Sequence, residues 1–203
     1  MTPGPADTGP PDTGTPRIAP LPAAEWGDLA RILERLPGGG PEPLNIFTTL
    51  ARADSELFRR WLGFGGALLA GTLPGRLREL VILRTAYRFD GRYEWAQHLA
   101  LGQAEGIGRD ELVALGARDV DAVAWAPLER AALGAVDETA DEGAVSDATW
   151  GELASQLSES ELIELLMLIA HYLMLSSVLR SLRVQLEPRA EELARRVPGG
   201  PAA

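Results

Sequence analysis

The 203-residue chain sets 29 acidic residues against 19 basic ones, for a formal net charge of -10 and a pI near 4.7, a balance that argues against nucleic acid or anionic membrane as a partner. It holds no cysteine, and its 19 basic residues are all arginine. Disulfides, thiol nucleophiles, peroxidatic cysteines, Cys-ligated metals, internal Schiff bases and the lysine of a phosphate-binding loop are therefore excluded.

Residues 1–22, rich in Pro, Gly, Thr and Asp, cannot bury enough apolar surface to order themselves and read as a disordered tail. Residues 23–197 read as one all-α domain, and 198–203 as a flexible C-terminus. No run of 18 apolar residues is free of charge, and no basic stretch precedes an apolar one at the N-terminus. Neither a membrane span nor a secretory signal is predicted, and a cytoplasmic protein is the expectation.

Within the domain the apolar period is helical throughout. A first helix is predicted over Ala23–Leu36, stopped by Pro37-Gly38-Gly39-Gly40. Leu44–Ala53 and Ser55–Leu69 follow, with Asp54 or Ser55 as a cap. Pro74 suits the first turn of a helix running to Phe89, and Asp90-Gly91 breaks it. Arg92–Glu105 is next, ending at Gly106. Arg109–Leu115 is short, Pro127–Glu142 longer, and Ser146 caps a helix to Gln156. Ser158 and Glu161 form a capping box for a long apolar helix to Leu182. Glu187–Arg196 closes the series. Glu79-Leu80-Val81-Ile82-Leu83 and Tyr87 are echoed in kind by Glu164-Leu165-Leu166-Met167-Leu168 and Tyr172. Two related helical halves would produce that echo; so would two amphipathic helices by chance.

One stretch carries chemistry-bearing residues, Tyr93-Glu94-Trp95-Ala96-Gln97-His98. Glu94 and His98 are four apart and share a helix face. At the least they form a surface ion pair. Interleaving with Tyr93 and Trp95 points instead to a part-buried acid/base pair, in which the carboxylate orients the ring of a side chain that titrates near neutrality. His171 lies in the apolar run Leu166–Met174, either as a core residue or facing the same cavity as His98. Arg84, amid Ile82, Leu83 and Ala86, must snorkel, pair with a carboxylate or hold an anionic ligand. Trp26, Trp61, Trp125 and Trp150 read as packing. A metal on Glu94 and His98 would need a further ligand, for which His171 is the candidate.

The segments Pro74-Gly75-Arg76-Leu77-Arg78-Glu79-Leu80-Val81-Ile82-Leu83-Arg84, Tyr93 to His98 and Gly106-Ile107 resemble the carboxymuconolactone decarboxylase family of the alkylhydroperoxidase-like superfamily. Pro43 to Phe47, Thr49 to Arg52 and Ser146 to Trp150 support the resemblance, which spans roughly residues 20 to 187. In the peroxidase members two cysteines stand in a CxxCH-type arrangement, which counting back from His98 falls on Glu94 and Gln97. The redox pair is thus absent. His98 stands at the family histidine and Glu79 at the family's upstream glutamate.

The resemblance implies an alkylhydroperoxidase-like helical fold, assembled as a homo-oligomer (trimer or hexamer) with its site at the subunit interface. It implies action without a cofactor, by proton transfer, on a small carboxylated or lactone-type molecule in aromatic catabolism or secondary metabolism. On that expectation His98 is the general acid or base, Glu94 orients it, and Arg84, Tyr93, Trp95, Glu79 and His171 contact the substrate. The alternatives are a non-catalytic oligomeric ligand-binding protein and a metal-dependent enzyme using Glu94 and His98.

Overall fold

The structure, a computed structural model, describes residues 14–37, 43–118, 120–197 and 199–201. Among these residues there is no strand. Two 3-10 turns, Ala23–Glu25 and Gly27–Leu29, lead into α1 (Ala30–Leu33); then follow α2 (Asn45–Leu50), α3 (Ser55–Leu69), α4 (Gly75–Arg88), α5 (Arg92–Ala104) and α6 (Arg109–Leu115). After a third turn come α7 (Pro127–Glu142), α8 (Asp147–Ala154), α9 (Glu159–Leu182) and α10 (Pro188–Arg196).

Local chemistry sets most of these boundaries. The Asp54 carboxylate accepts from the Glu56 and Leu57 N–H groups, and Ser146 Oγ from that of Thr149. Ser158 and Glu161 exchange a capping box at the head of α9, satisfying donors that a helix start leaves open. Gly106 and Gly143 take left-handed backbone, φ +83 and +79, where α5 and α7 end. The predicted first helix forms only as two turns and four α-helical residues. Gly27, at φ +51, takes a left-handed conformation that a continuous helix forbids. Pro74 caps α4 from outside rather than opening its first turn.

Helix α4 is the hub. It packs on α5, α7 and α9, and its residues from Leu80 to Ala86 are all buried. The largest core joins Val81 and Ile82 of α4 to α7, α8 and α9; a second joins Leu80 and Leu83 to α5, α6 and Leu133; a third seats Trp26, Leu29 and Leu33 on Phe58 of α3. Gly102 lets α5 approach α4 closely, since a Cβ there would lie 3.0 Å from Leu83 Cδ1.

Three ion pairs lock α4 to α7: Arg76–Glu129, Arg84–Asp137 and Arg88–Asp141, each separated by 53 residues. A constant separation means that the two helices run parallel and in register. The echoed residues of α4 and α9 do different work: Glu79 binds a histidine, whereas Glu164 accepts from the Thr72 and Leu73 N–H groups.

Helix α9 is long and apolar enough to cross a membrane by length and composition alone, with a mean hydropathy of 2.0 over 18 residues. Here its stripe Leu165, Leu168, Ile169, Tyr172, Leu175 and Leu179 is buried in the bundle. The second half of the predicted tail is also attached to the body. Arg17 N–H donates to the Leu182 carbonyl, Leu21 N–H to that of Thr48, and Gln185 Nε2 to that of Gly14. Residues 1–13, 38–42, 119, 198 and 202–203, and so the rest of both predicted tails and the Gly38–Gly40 stop, lie outside the described residues.

Candidate active site

Three helices bring Glu79 (α4), His98 (α5) and Tyr172 (α9) together in the interior. His98 Nδ1 lies 2.7 Å from Glu79 Oε2, and His98 Nε2 lies 3.1 Å from the Tyr172 hydroxyl. A Glu79 carboxylate accepts from Nδ1–H, which leaves Nε2 to accept from the phenol O–H. The rings of His98 and Tyr172 meet edge-on, 5.2 Å apart. Burial first, then the charges of Glu79 and Glu94, push the Tyr172 pKa up, which keeps the phenol protonated as the donor of that bond.

Glu94 does not orient His98. Although the two share a face of α5, the bond to the imidazole comes from Glu79, nineteen residues upstream. The Glu94 side chain is 3% exposed, and neither of its carboxyl oxygens has a hydrogen-bond partner among the described residues. Desolvation raises its pKa to about 7, opposed only by its own backbone N–H. It lines a cavity of about 440 Å³ between the start of α5, the end of α9 and α10. Leu179, Val184 and Leu186 form apolar walls, and Arg92, Arg180 and Arg195 stand among the other lining residues. Each arginine is ion-paired, with Glu191, Asp90 and Glu191 respectively.

The other expected contacts are distributed differently. All five donors of Arg84 are engaged: two on Asp137 at 2.8 Å, the rest on the carbonyls of Leu115, Ala117 and Arg118. It ties the end of α6 to α7 and has nothing left for a substrate. Trp95 packs in the second core against Leu99 and Leu112, away from the cavity. Tyr93 lines the cavity, but its hydroxyl donates to Glu187 Oε1 and accepts from Ile46 N–H; burial, then the Glu187 charge, raise its pKa.

His171 is buried between Phe64 and Tyr172, with Nδ1 unpartnered and its pKa lowered by desolvation. It touches the same tyrosine as His98 without reaching the cavity that Glu94 lines. Among the described residues no group of three or more His, Cys, Asp or Glu side chains converges as a metal site. Trp26 is buried as expected, whereas Trp150 is 42% exposed.

Gln97 turns to Glu187, away from Glu94. The position that faces Glu94 is Gly91: a Cβ there would overlap Ser176 Oγ and come within 2.9 Å of Glu94 Oε2. The i,i+3 pair flanking this site is therefore 91 and 94, not 94 and 97. Ser176, fully buried and unpartnered, carried no signal in the sequence, because a serine in an apolar helix usually bonds its own backbone. The 53-residue echo of Arg76, Arg84 and Arg88 in Glu129, Asp137 and Asp141 was a readable signal, and it identifies Arg84 as structural.

Among known structures, the chain superimposes on the alkylhydroperoxidase AhpD core of an uncharacterized peroxidase-related protein from Ralstonia eutropha JMP134, with a TM-score of 0.73 and 17% identity over 87% of this chain and 96% of that one. The debrominase Bmp8, as a cysteine-to-alanine variant in complex with 2,3,4-tribromopyrrole, gives 0.72 and 18% over 91% and 98%. A putative antioxidant defence protein AhpD from Agrobacterium tumefaciens gives 0.61 and 20% over 68% and 94%. No curated protein sequence matches the chain. Residues 55–138, which hold Glu79, Glu94 and His98, match the carboxymuconolactone decarboxylase family. Over this segment the chain is similar to that family, and it has the all-helical AhpD-like fold.

Proposed function

We propose that this chain is a cofactor-independent acid/base enzyme, a decarboxylase, isomerase or related lyase, acting on a small carboxylated or lactone-type molecule. The observation that carries this reading is Glu94: a buried, unpartnered carboxyl with a pKa near 7, at the wall of a cavity of small-molecule size. A group that holds or releases its proton at neutral pH suits proton transfer. The roles expected for the pair are exchanged. Glu94 meets the substrate, and Glu79, His98 and Tyr172 form a separate hydrogen-bonded unit.

The debrominase of the same fold, in complex with 2,3,4-tribromopyrrole, supports a small organic ligand. This chain has no cysteine, so chemistry routed through a thiol has no counterpart here. Self-association is proposed on a separate observation. Phe64 and Leu69 of α3 and Ile163, Met167 and Met174 of α9 are exposed, a set of apolar side chains that a second copy could cover.

The test is proton exchange. Carboxylated lactones and β-keto acids are followed by NMR in D2O for deuterium incorporation or loss of the carboxyl group. Glu94→Gln, which keeps the shape and removes the titration, is expected to slow the reaction on the order of 10²–10⁴-fold. Undiminished turnover in that variant overturns the assignment.

A further inference from the structure

Ser176 is an exception on its own helix. Ser177 and Ser181 of α9 fold their hydroxyls back onto the carbonyls four residues earlier, at 3.1 and 2.6 Å, the usual fate of a helical serine. Thr85 and Thr139 do the same on α4 and α7. Ser176 Oγ does not. It is fully buried, has no partner among the described residues, and lines the same cavity as Glu94.

A buried hydroxyl left unbonded is destabilising. Two such groups, Ser176 and Glu94, converge on one spot, and the residue between them is Gly91, whose missing Cβ is what gives them room. The groups do not bond one another. Both unpartnered groups belong to residues that line the cavity, whose adjoining walls are Leu179, Val184 and Leu186.

We propose that Ser176 and Glu94 form a two-donor subsite, opened by Gly91, that binds the carbonyl or enol oxygen of a small ring compound whose carbon skeleton lies on Leu179, Val184 and Leu186. The inference rests on the acid/base reading of Glu94 and adds to it a positioning residue and a ligand group. A carbonyl oxygen has two lone pairs and accepts one bond from the Ser176 hydroxyl and one from the protonated Glu94 carboxyl. Two fixed donors also favour charge accumulating on that oxygen, so the subsite suits a substrate that passes through an enol or enolate. The raised Glu94 pKa supports the assignment, because the carboxyl carries the donated proton up to neutrality.

The probe is cyclohexanone labelled with ¹³C at the carbonyl, compared at pH 6 with methylenecyclohexane, which has the same shape and no oxygen. Wild-type protein is expected to bind the ketone on the order of tenfold tighter than the alkene, as one net hydrogen bond allows, and to move its carbonyl resonance downfield. Ser176→Ala removes a group that bonds nothing in the protein, so the fold should hold while the preference and most of the shift are lost. Gly91→Ala, which drives a methyl into Ser176 Oγ, should close the subsite. Should that variant fail to fold, Ser176→Ala decides alone. Equal binding of the two probes, or a shift that survives Ser176→Ala, overturns the subsite. The acid/base reading fails independently, if Glu94→Gln keeps full turnover.

Discussion

Two buried ionisable side chains in this bundle differ in how they are bonded. Arg84 is the largest fully buried residue, and each of its five N–H groups has an acceptor. Glu94 is nearly as buried, and neither of its oxygens has a partner among the described residues. A buried charge with every bond made is part of the scaffold, because its desolvation is offset within the protein. A buried carboxyl with none made, set beside a cavity, carries an uncompensated cost that a folding role would not explain. The proposed roles rest on this contrast and not on residue type, by which an arginine in a helix core looks at first like the better ligand.

The sharpest way to break the contrast is to remove Arg84. Arg84→Met keeps the volume and deletes the donors, leaving the Leu115, Ala117 and Arg118 carbonyls open and Asp137 with Arg88 alone. The expected loss is about 3–5 kcal/mol, read as a lowered urea midpoint. A variant that unfolds like wild type but loses ligand binding would return Arg84 to the site.

The second test turns on Glu94 and pH. Its pKa is about 7 in the fold against an ordinary 4.5, so the folded protein holds this proton more tightly than the unfolded chain. Stability from this group is fully present below pH 4.5 and is lost as pH rises through 7. The total change is about 3 kcal/mol. Urea denaturation from pH 4.5 to 8 should show that decline, and Glu94→Gln should flatten it. A wild-type profile as flat as that of the glutamine variant would mean that the carboxyl finds a partner in solution.

How far the sequence could be read follows from the reach of each interaction. Helix ends at Asp54, Gly106, Ser146 and Ser158 were legible because a cap involves residues two to four positions away. The break at Gly27 was not, since a glycine at a helix start is compatible with either outcome. The sequence singled out Glu94 and His98 as a pair, but the two do not bond, and His98 bonds Glu79 instead. Spacing of four places two side chains on one face and says nothing of a competitor such as Glu79, delivered by another helix that Gly102 lets in close. Ser176 depended on contacts between α5 and α9, for which an apolar run offers no clue.

A smaller effect is expected at Tyr172, which bonds His98 on one side and packs on His171 on the other. Tyr172→Phe leaves the ring packed on His98 and His171 and removes only the donor to His98 Nε2. If the Glu79–His98–Tyr172 unit supports proton transfer at Glu94, turnover should fall on the order of tenfold, about 1.4 kcal/mol, with little change in melting temperature. A large stability loss with turnover per folded molecule unchanged would make the unit structural, like Arg84.

The smallest effect isolates burial from satisfaction. Ser158 at the head of α9 is as fully bonded as Arg84: its hydroxyl accepts from Glu161 N–H, and its own N–H and O–H both donate to Glu161 Oε2. It differs in standing exposed to water, where a lost bond is replaced by a solvent one. Ser158→Ala should therefore cost about 1 kcal/mol, the usual worth of an N-cap, against the severalfold larger loss at Arg84. The bonds to the Glu161 carboxylate hold its pKa below the ordinary value, so the cap weakens as pH falls through the carboxylate range, opposite in direction to Glu94. The gap in urea midpoint between wild type and Ser158→Ala should therefore be smaller at pH 3 than at pH 7, without closing, because the bond from Glu161 N–H to the Ser158 hydroxyl does not titrate. A cost as large as that of Arg84→Met would show that making every bond, and not making them out of water, sets the price of losing them.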